Sequence, residues 1–263
     1  MLKKLLKHDL KSIFKVLIIF YILAVFFGAL TRVFFSFKNS LVLMILGEIA
    51  QGAAISMMCS TLINNLMRMW VRFKTHFYSD ESYLTHTLPV KKSTHYLSKI
   101  LATVITLFVS FAVVFAVLFV AYYSKENLLF IKNLLLPVAQ LYDSTILGII
   151  ALLVFVLFLE FLNILQCGFT GILLGHKKNT AKVGFSVLFG FVTFLASQMV
   201  VLAVLFGIAI FNKEFMNLFV TNALPDISTL KSMIYTSIGS YTFVSVLICF
   251  VNIHLFKKGV NVD

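Results

Sequence analysis

Long uninterrupted apolar runs alternate with short polar gaps along this chain. A helix rising 1.5 Å per residue needs ~20 apolar residues to cross ~30 Å of hydrocarbon. Six runs reach that length, at about 13–35, 41–67, 100–123, 145–175, 183–211 and 233–256. Strands of a membrane barrel would alternate polar and apolar side chains, and these runs do not. The pattern predicts an all-α fold class: a polytopic membrane protein with six transmembrane helices. No internal period recurs, so residues 1–263 are read as a single transmembrane domain.

Composition supports that reading. Hydrophobic residues make up 60% of the chain and charged residues 12%, too few for the surface of a dissolved globule. A net charge of +12 would suit nucleic acid, but the placement of the cations points away from it, because they flank the apolar runs instead of lining one soluble face. Lys and Arg number five in the N-terminal tail, six in 68–99, three in 176–182 and two in the C-terminal tail, against six in the other three gaps. By the positive-inside rule both termini are expected in the cytoplasm, with membrane lipid as a partner. The two outer gaps of about twenty residues are expected to hold short caps or re-entrant turns. All three prolines fall in gaps. Cys59, Cys167 and Cys249 lie in apolar runs without ligand spacing and read as small apolar side chains.

The N-terminus, MLKKLLKHDLKSIFK, leads into a run from Val16 to Thr31 that lacks a small-x-small cleavage site, and it reads as an amphipathic helix over 1–12 lying flat in the headgroup region. Leu2, Leu5, Leu6, Leu10, Ile13 and Phe14 fill one half of its wheel, and Lys4, Lys7, His8 and Lys11 the other. Asp9 falls inside the apolar arc. Either the helix is solvated with an imperfect wheel, or Asp9 pairs with a basic residue of the 68–99 gap.

That gap, RMWVRFKTHFYSDESYLTHTLPVKKSTHYLSK, is the largest on the cytoplasmic side. Trp70, Phe73 and Phe77 at i, i+3 and i+7 carry the helix of span two beyond the membrane. Ser79 or Asp80 is placed to cap a new short helix, with Asp80 and Glu81 in its first turn, and Pro89 ends it by Leu88. Ser93 or Thr94 is placed to cap the helix leading into span three. The expected product is a short helix displayed on two stalks, the shape of a docking element.

The segment DESYLTHTLPV, after a basic-aromatic stretch and an N-terminal LLKHDLK in a six-span chain, resembles permease subunits of type-2, exporter-type ABC transporters. In that family a coupling helix between spans two and three sits in a cleft of a separate ATP-binding subunit. The resemblance implies that role for Asp80, Glu81, Ser82, Tyr83, Leu84, Thr85, Thr87, Leu88 and Pro89, while His86 carries no family expectation. It further implies a bacterial plasma membrane, two ATP-binding subunits, a second permease that is identical or homologous, and an amphipathic peptide, antibiotic or lipid as cargo. No cofactor is expected on this chain; ATP and Mg belong to the partner. Consistent with this, no Gly-x4-Gly-Lys-Ser/Thr loop occurs, and the nearest stretch, GFTGILLGHKK, reads instead as a Gly171/Gly175 helix-packing face.

Two acids, Glu48 and Glu160, lie within spans, where a charge at the bilayer centre costs ~2.5 kcal/mol or more. Gln51 follows Glu48, and Asn163 and Gln166 follow Glu160, at helical spacing. Such stripes serve as interhelical glue, as path lining or as a proton relay. The last keeps open an ion- or proton-coupled carrier or channel; an intramembrane enzyme would need catalytic groups converging from different spans. The histidines stand too far apart for a metal site, and no catalytic triad or carboxylate pair can be assigned by spacing.

Overall fold

The computed structural model describes residues 1–37, 40–79, 81–87, 89–142, 144–211, 216 and 227–258. The described residues form helices: α1 (Leu2–Ser36), α2 (Leu41–Tyr78), α3 (Ser82–Thr87), α4 (Lys92–Tyr122), α5 (Lys125–Leu141), α6 (Ile146–Gly175), α7 (Lys182–Phe211) and α8 (Ile227–Lys257). Six of them, all but α3 and α5, are long and apolar enough to cross a membrane, the signature of a multi-pass membrane protein. The chain divides into two compact units, Met1–Ile131 and Lys132–Asp263.

In the first unit α1 packs on α2 and α4. The buried face of α1 runs Ile13, Leu17, Tyr21, Ala24, Gly28 and Thr31, at steps of three or four residues, as a single helix face requires. Small residues let the backbones close up: a Cβ at Gly28 would stand 2.9 Å from Val117 Cγ1 of α4. Exposed apolar side chains such as Ile22, Phe26, Ile49 and Phe108 cover the outside, which suits lipid rather than water.

Residues 2–12 form the first turns of a continuous α1 that runs on into the first span without a break. The apolar stripe of the opening runs in register into that of the span, so one helix face serves both. At 38 residues α2 measures about 57 Å, nearly twice the hydrocarbon thickness, so its last turns stand outside the expected span. The start of α4 differs from expectation as well. Lys91 occupies the cap position, its carbonyl accepting from the amides of Thr94 at 2.8 Å and His95 at 3.3 Å, so Ser93 and Thr94 sit inside the first turn.

The gap between spans three and four contains the 17-residue α5 instead of short caps or a re-entrant turn. Ser124 Oγ accepts from the Asn127 amide at 3.0 Å and Glu126 lies in the first turn, a local start signal that the charged and polar residues had masked. Pro137 lies inside this helix, outside the six spans. Pro225 falls outside the described residues.

In the second unit α6 packs on α7 and α8. Thr145 Oγ1 caps α6 by accepting from the Gly148 amide at 3.1 Å. Gly171 and Gly175 form a packing face: a Cβ at Gly171 would stand 2.6 Å from the backbone N of Gly190, and one at Gly175 would meet Ser186. Helices α6 and α7 touch backbone to backbone there.

Candidate functional site

Where α1, α2 and α4 project beyond the expected spans, six polar residues meet. Lys99 Nζ of α4 donates to Asp9 Oδ1 of α1 at 2.5 Å, and Ser98 Oγ donates to Asp9 Oδ2 at 3.1 Å. Arg72 of α2 brings Nε to 3.5 Å from Asp9 Oδ1. Its Nη1 donates to both carboxylate oxygens of Glu81, at 3.0 and 2.8 Å, and its Nη2 to His8 Nδ1 at 3.1 Å. Of the two readings of Asp9, the structure takes pairing with the 68–99 segment.

Two anions face two cations in this group, so its formal charge cancels, which burial requires. Burial opposes ionisation of Asp9, but the charge and hydrogen bond of Lys99, with Arg72 behind, outweigh it and hold the carboxyl below its usual range. Beside them His76 is pushed down to about 3, first by burial and then by the Lys99 cation. It stays neutral and stacks edge-on against Phe77, its ring centroid 5.1 Å away. Phe73 and Phe77 are fully buried, and the Lys99 ammonium lies over the Phe77 ring, 5.5 Å from its centroid.

The charged layer carries α3. Glu81, held by Arg72, immediately precedes it, and the Glu81 carbonyl accepts from the Thr85 amide at 3.1 Å and Thr85 Oγ1 at 2.9 Å. The Ser79 carbonyl accepts from the Ser82 amide at 2.7 Å, forming the turn out of α2. Ser82 and Thr85 face inward and are buried. Tyr83 and Leu84 face outward, 67% and 75% exposed, on a segment outside the expected spans. Thr87 is exposed and donates to the Leu84 carbonyl at 2.9 Å; Pro89 lies in the bend leading to α4. Asp80 and Leu88 lie outside the described residues.

Within the spans of the first unit, Tyr21 and Ser110 share a hydrogen bond of 2.8 Å, Asn65 Nδ2 donates to Ser110 Oγ at 2.7 Å, and Thr106 Oγ1 donates to Asn65 Oδ1 at 3.2 Å. This buried polar knot joining α1, α2 and α4 escaped sequence reasoning. Its signal is an uncharged polar residue at the buried register of each helix, visible only once the buried faces are known. Glu48 is exposed on α2, seven residues or about 10 Å from the helix start, and Gln51 is half-buried.

In the second unit the α6 stripe meets both neighbours. Glu160 Oε1 accepts from Gln198 Nε2 at 2.9 Å, and Gln198 Oε1 accepts from Tyr241 OH at 3.0 Å. Asn163 Nδ2 donates to Ser197 Oγ at 2.9 Å, and the Gln166 carbonyl accepts from Asn252 Nδ2 at 3.2 Å. Glu160 Oε2 is buried with no hydrogen-bond partner. Among the described residues no group of three His, Cys, Asp or Glu side chains is placed to hold a metal ion. The chain matches no family model, no curated protein and no solved structure, so its function has to be argued from this geometry.

Proposed function

We propose that this chain is the membrane-spanning permease subunit of an ATP-driven, ABC-type exporter. Two permeases, identical or homologous, enclose the path for an amphipathic peptide, antibiotic or lipid-like cargo. Two separate ATP-binding subunits carry ATP and Mg on the cytoplasmic side, where both termini lie. The carrying observation is α3: a six-residue helix offers adjacent Tyr83 and Leu84 outward, while Glu81 is tied through Arg72 and Asp9 to α1, α2 and α4. An exposed aromatic and aliphatic pair on a braced helix suits a cleft in a partner protein. Force on α3 passes by ion pairs into three helices, which is what coupling to an ATPase requires.

Purification from the native host tests the reading. A nucleotide-binding chain should accompany the wild type, and Tyr83→Asp with Leu84→Asp should release it while the spans stay inserted. Retention by the double variant, or no such chain at all, would sink the proposal.

A second reading, a proton- or ion-coupled carrier using Glu48 and Glu160, draws on the buried, unpartnered Glu160 Oε2. Transport in vesicles driven by an ion gradient without ATP, and abolished by Glu160→Gln, would favour it.

A further inference from the structure

A cavity of about 170 Å³ lies between α1 and α2, lined by Ser12 and Ile13 on one side and Arg68, Val71, Arg72 and Thr75 on the other. The α2 residues stand at i, i+3, i+4 and i+7, so they share one face. Two arginines and two hydroxyl residues line this one small space, a setting suited to an oxyanion. Their charges are not equally available. Arg72 is matched by Asp9 and Glu81, whereas Arg68 is exposed and has no ion pair among the described residues. Arg68 therefore brings the unmatched positive charge, while Arg72, its nitrogens engaged by Asp9, Glu81 and His8, forms part of the wall.

Position narrows the ligand. Ser12 and Arg68 stand one residue beyond the expected ends of spans one and two, which places the cavity in the headgroup layer. Segments 1–15 and 68–99 carry eleven Lys and Arg against Asp9, Asp80 and Glu81, an excess that draws anionic membrane surface to this end. Val71, half exposed, adds an apolar edge at the cavity. Arginine suits phosphate oxygens because its planar fork donates two parallel hydrogen bonds. We propose that this cavity binds the phosphate of an anionic phospholipid headgroup, with Arg68 as its main charge partner and Ser12 and Thr75 as hydroxyl donors. The assignment does not depend on the permease reading.

The test is native mass spectrometry of the full chain in neutral detergent, titrated with phosphatidylglycerol or phosphatidylcholine. Wild type should retain phosphatidylglycerol in preference. Arg68→Gln should weaken that binding about fivefold, the equivalent of ~1 kcal/mol for one basic residue at a membrane surface. Arg68→Lys should keep most of it, and Lys125→Gln, at the other end of the unit, should leave it unchanged. If Arg68→Gln proves unstable, Ser12→Asp places a carboxylate beside the cavity and should show the same loss. Equal retention of both lipids, or unchanged binding in Arg68→Gln or Ser12→Asp, would overturn the proposal. Displacement of bound phosphatidylglycerol by millimolar inorganic phosphate would overturn the lipid assignment and give the cavity to a soluble phosphate.

Discussion

The Lys99 ammonium stands 2.5 Å from the Asp9 carboxylate, and the two side chains expose 1% and 2% of their surface. Ninety residues apart in the chain, they join the opening of α1 to the start of α4. Burying two ions costs several kcal/mol each, and only a close partner and further hydrogen bonds offset that cost. Here Ser98 and Arg72 complete the shell around Asp9. The opening turns of α1 are thereby anchored, and the same arginine reaches Glu81 at the entrance to α3.

Breaking the pair from one side should therefore be worse than removing it. Asp9→Asn leaves a buried ammonium without its closest counter-charge, and a loss of about 3–5 kcal/mol is expected. Lys99→Met should also be costly, because it leaves the buried carboxylate only Ser98 and the more distant Arg72. Combining the two should recover much of the loss, because neither residual charge survives. Thermal unfolding of the four proteins in one detergent checks this; additive losses in the double variant would show that the pair is not coupled.

How much of this was legible in the sequence differs from element to element. The run of 145–175 became α6, Ile146–Gly175, because apolar length alone decides a span. Gly171 and Gly175 were readable as a close-packing face because a four-residue glycine step has one steric meaning in such a helix. The sequence left Asp9 between solvation and pairing, since a wheel places a residue on a face without naming what that face meets. Arg72 and Glu81 gave no spacing signal, because their contact crosses the turn after Tyr78. The Tyr21, Asn65 and Ser110 knot depends on which three helices pack together, information that no single span carries.

His76 supplies a pH dependence of definite sign. In the folded protein it stays neutral down to about pH 3, held there by burial, Lys99 and Arg72 against the pull of Asp9. The unfolded chain takes up that proton below about pH 6.5. Its contribution is thus fully present above pH 6.5 and is lost toward pH 3, at up to about 1.4 kcal/mol per unit. Asp9, with its pKa lowered from 3.8, adds a further loss only below that value. The fall in Tm from pH 6.5 to pH 4.5 should be shallower in His76→Gln, and an unchanged slope would remove His76 as the cause.

Glu81 is half-exposed, so its bond to Arg72 should matter locally more than globally. Glu81→Gln should lower global stability by about 1 kcal/mol or less. Its effect should appear in α3, whose entrance loses a charged tether. Hydrogen exchange of the amides of residues 82–87 should speed up while those of α2 and α4 keep their protection. Unchanged exchange in α3 would mean that Ser79 and the buried Ser82 and Thr85 hold the helix without the arginine.

Two helical glycines in the second unit should respond to alanine with opposite signs. At Gly171 an added Cβ would crowd the Ser186 carbonyl and stand 2.6 Å from the Gly190 backbone N, atoms that cannot rotate away. Helices α6 and α7 would have to separate, at a cost of about 1–3 kcal/mol. At Gly184, near the start of α7, a Cβ meets nothing within 4 Å among the described residues. There Gly184→Ala should gain up to about 1 kcal/mol, since alanine restricts the unfolded chain and favours the helix. Both proteins differ from wild type by one methyl group, so hydrophobicity cannot account for opposite shifts in Tm. A loss at Gly184 as large as that at Gly171 would place a neighbour on this face of α7 from outside the described residues.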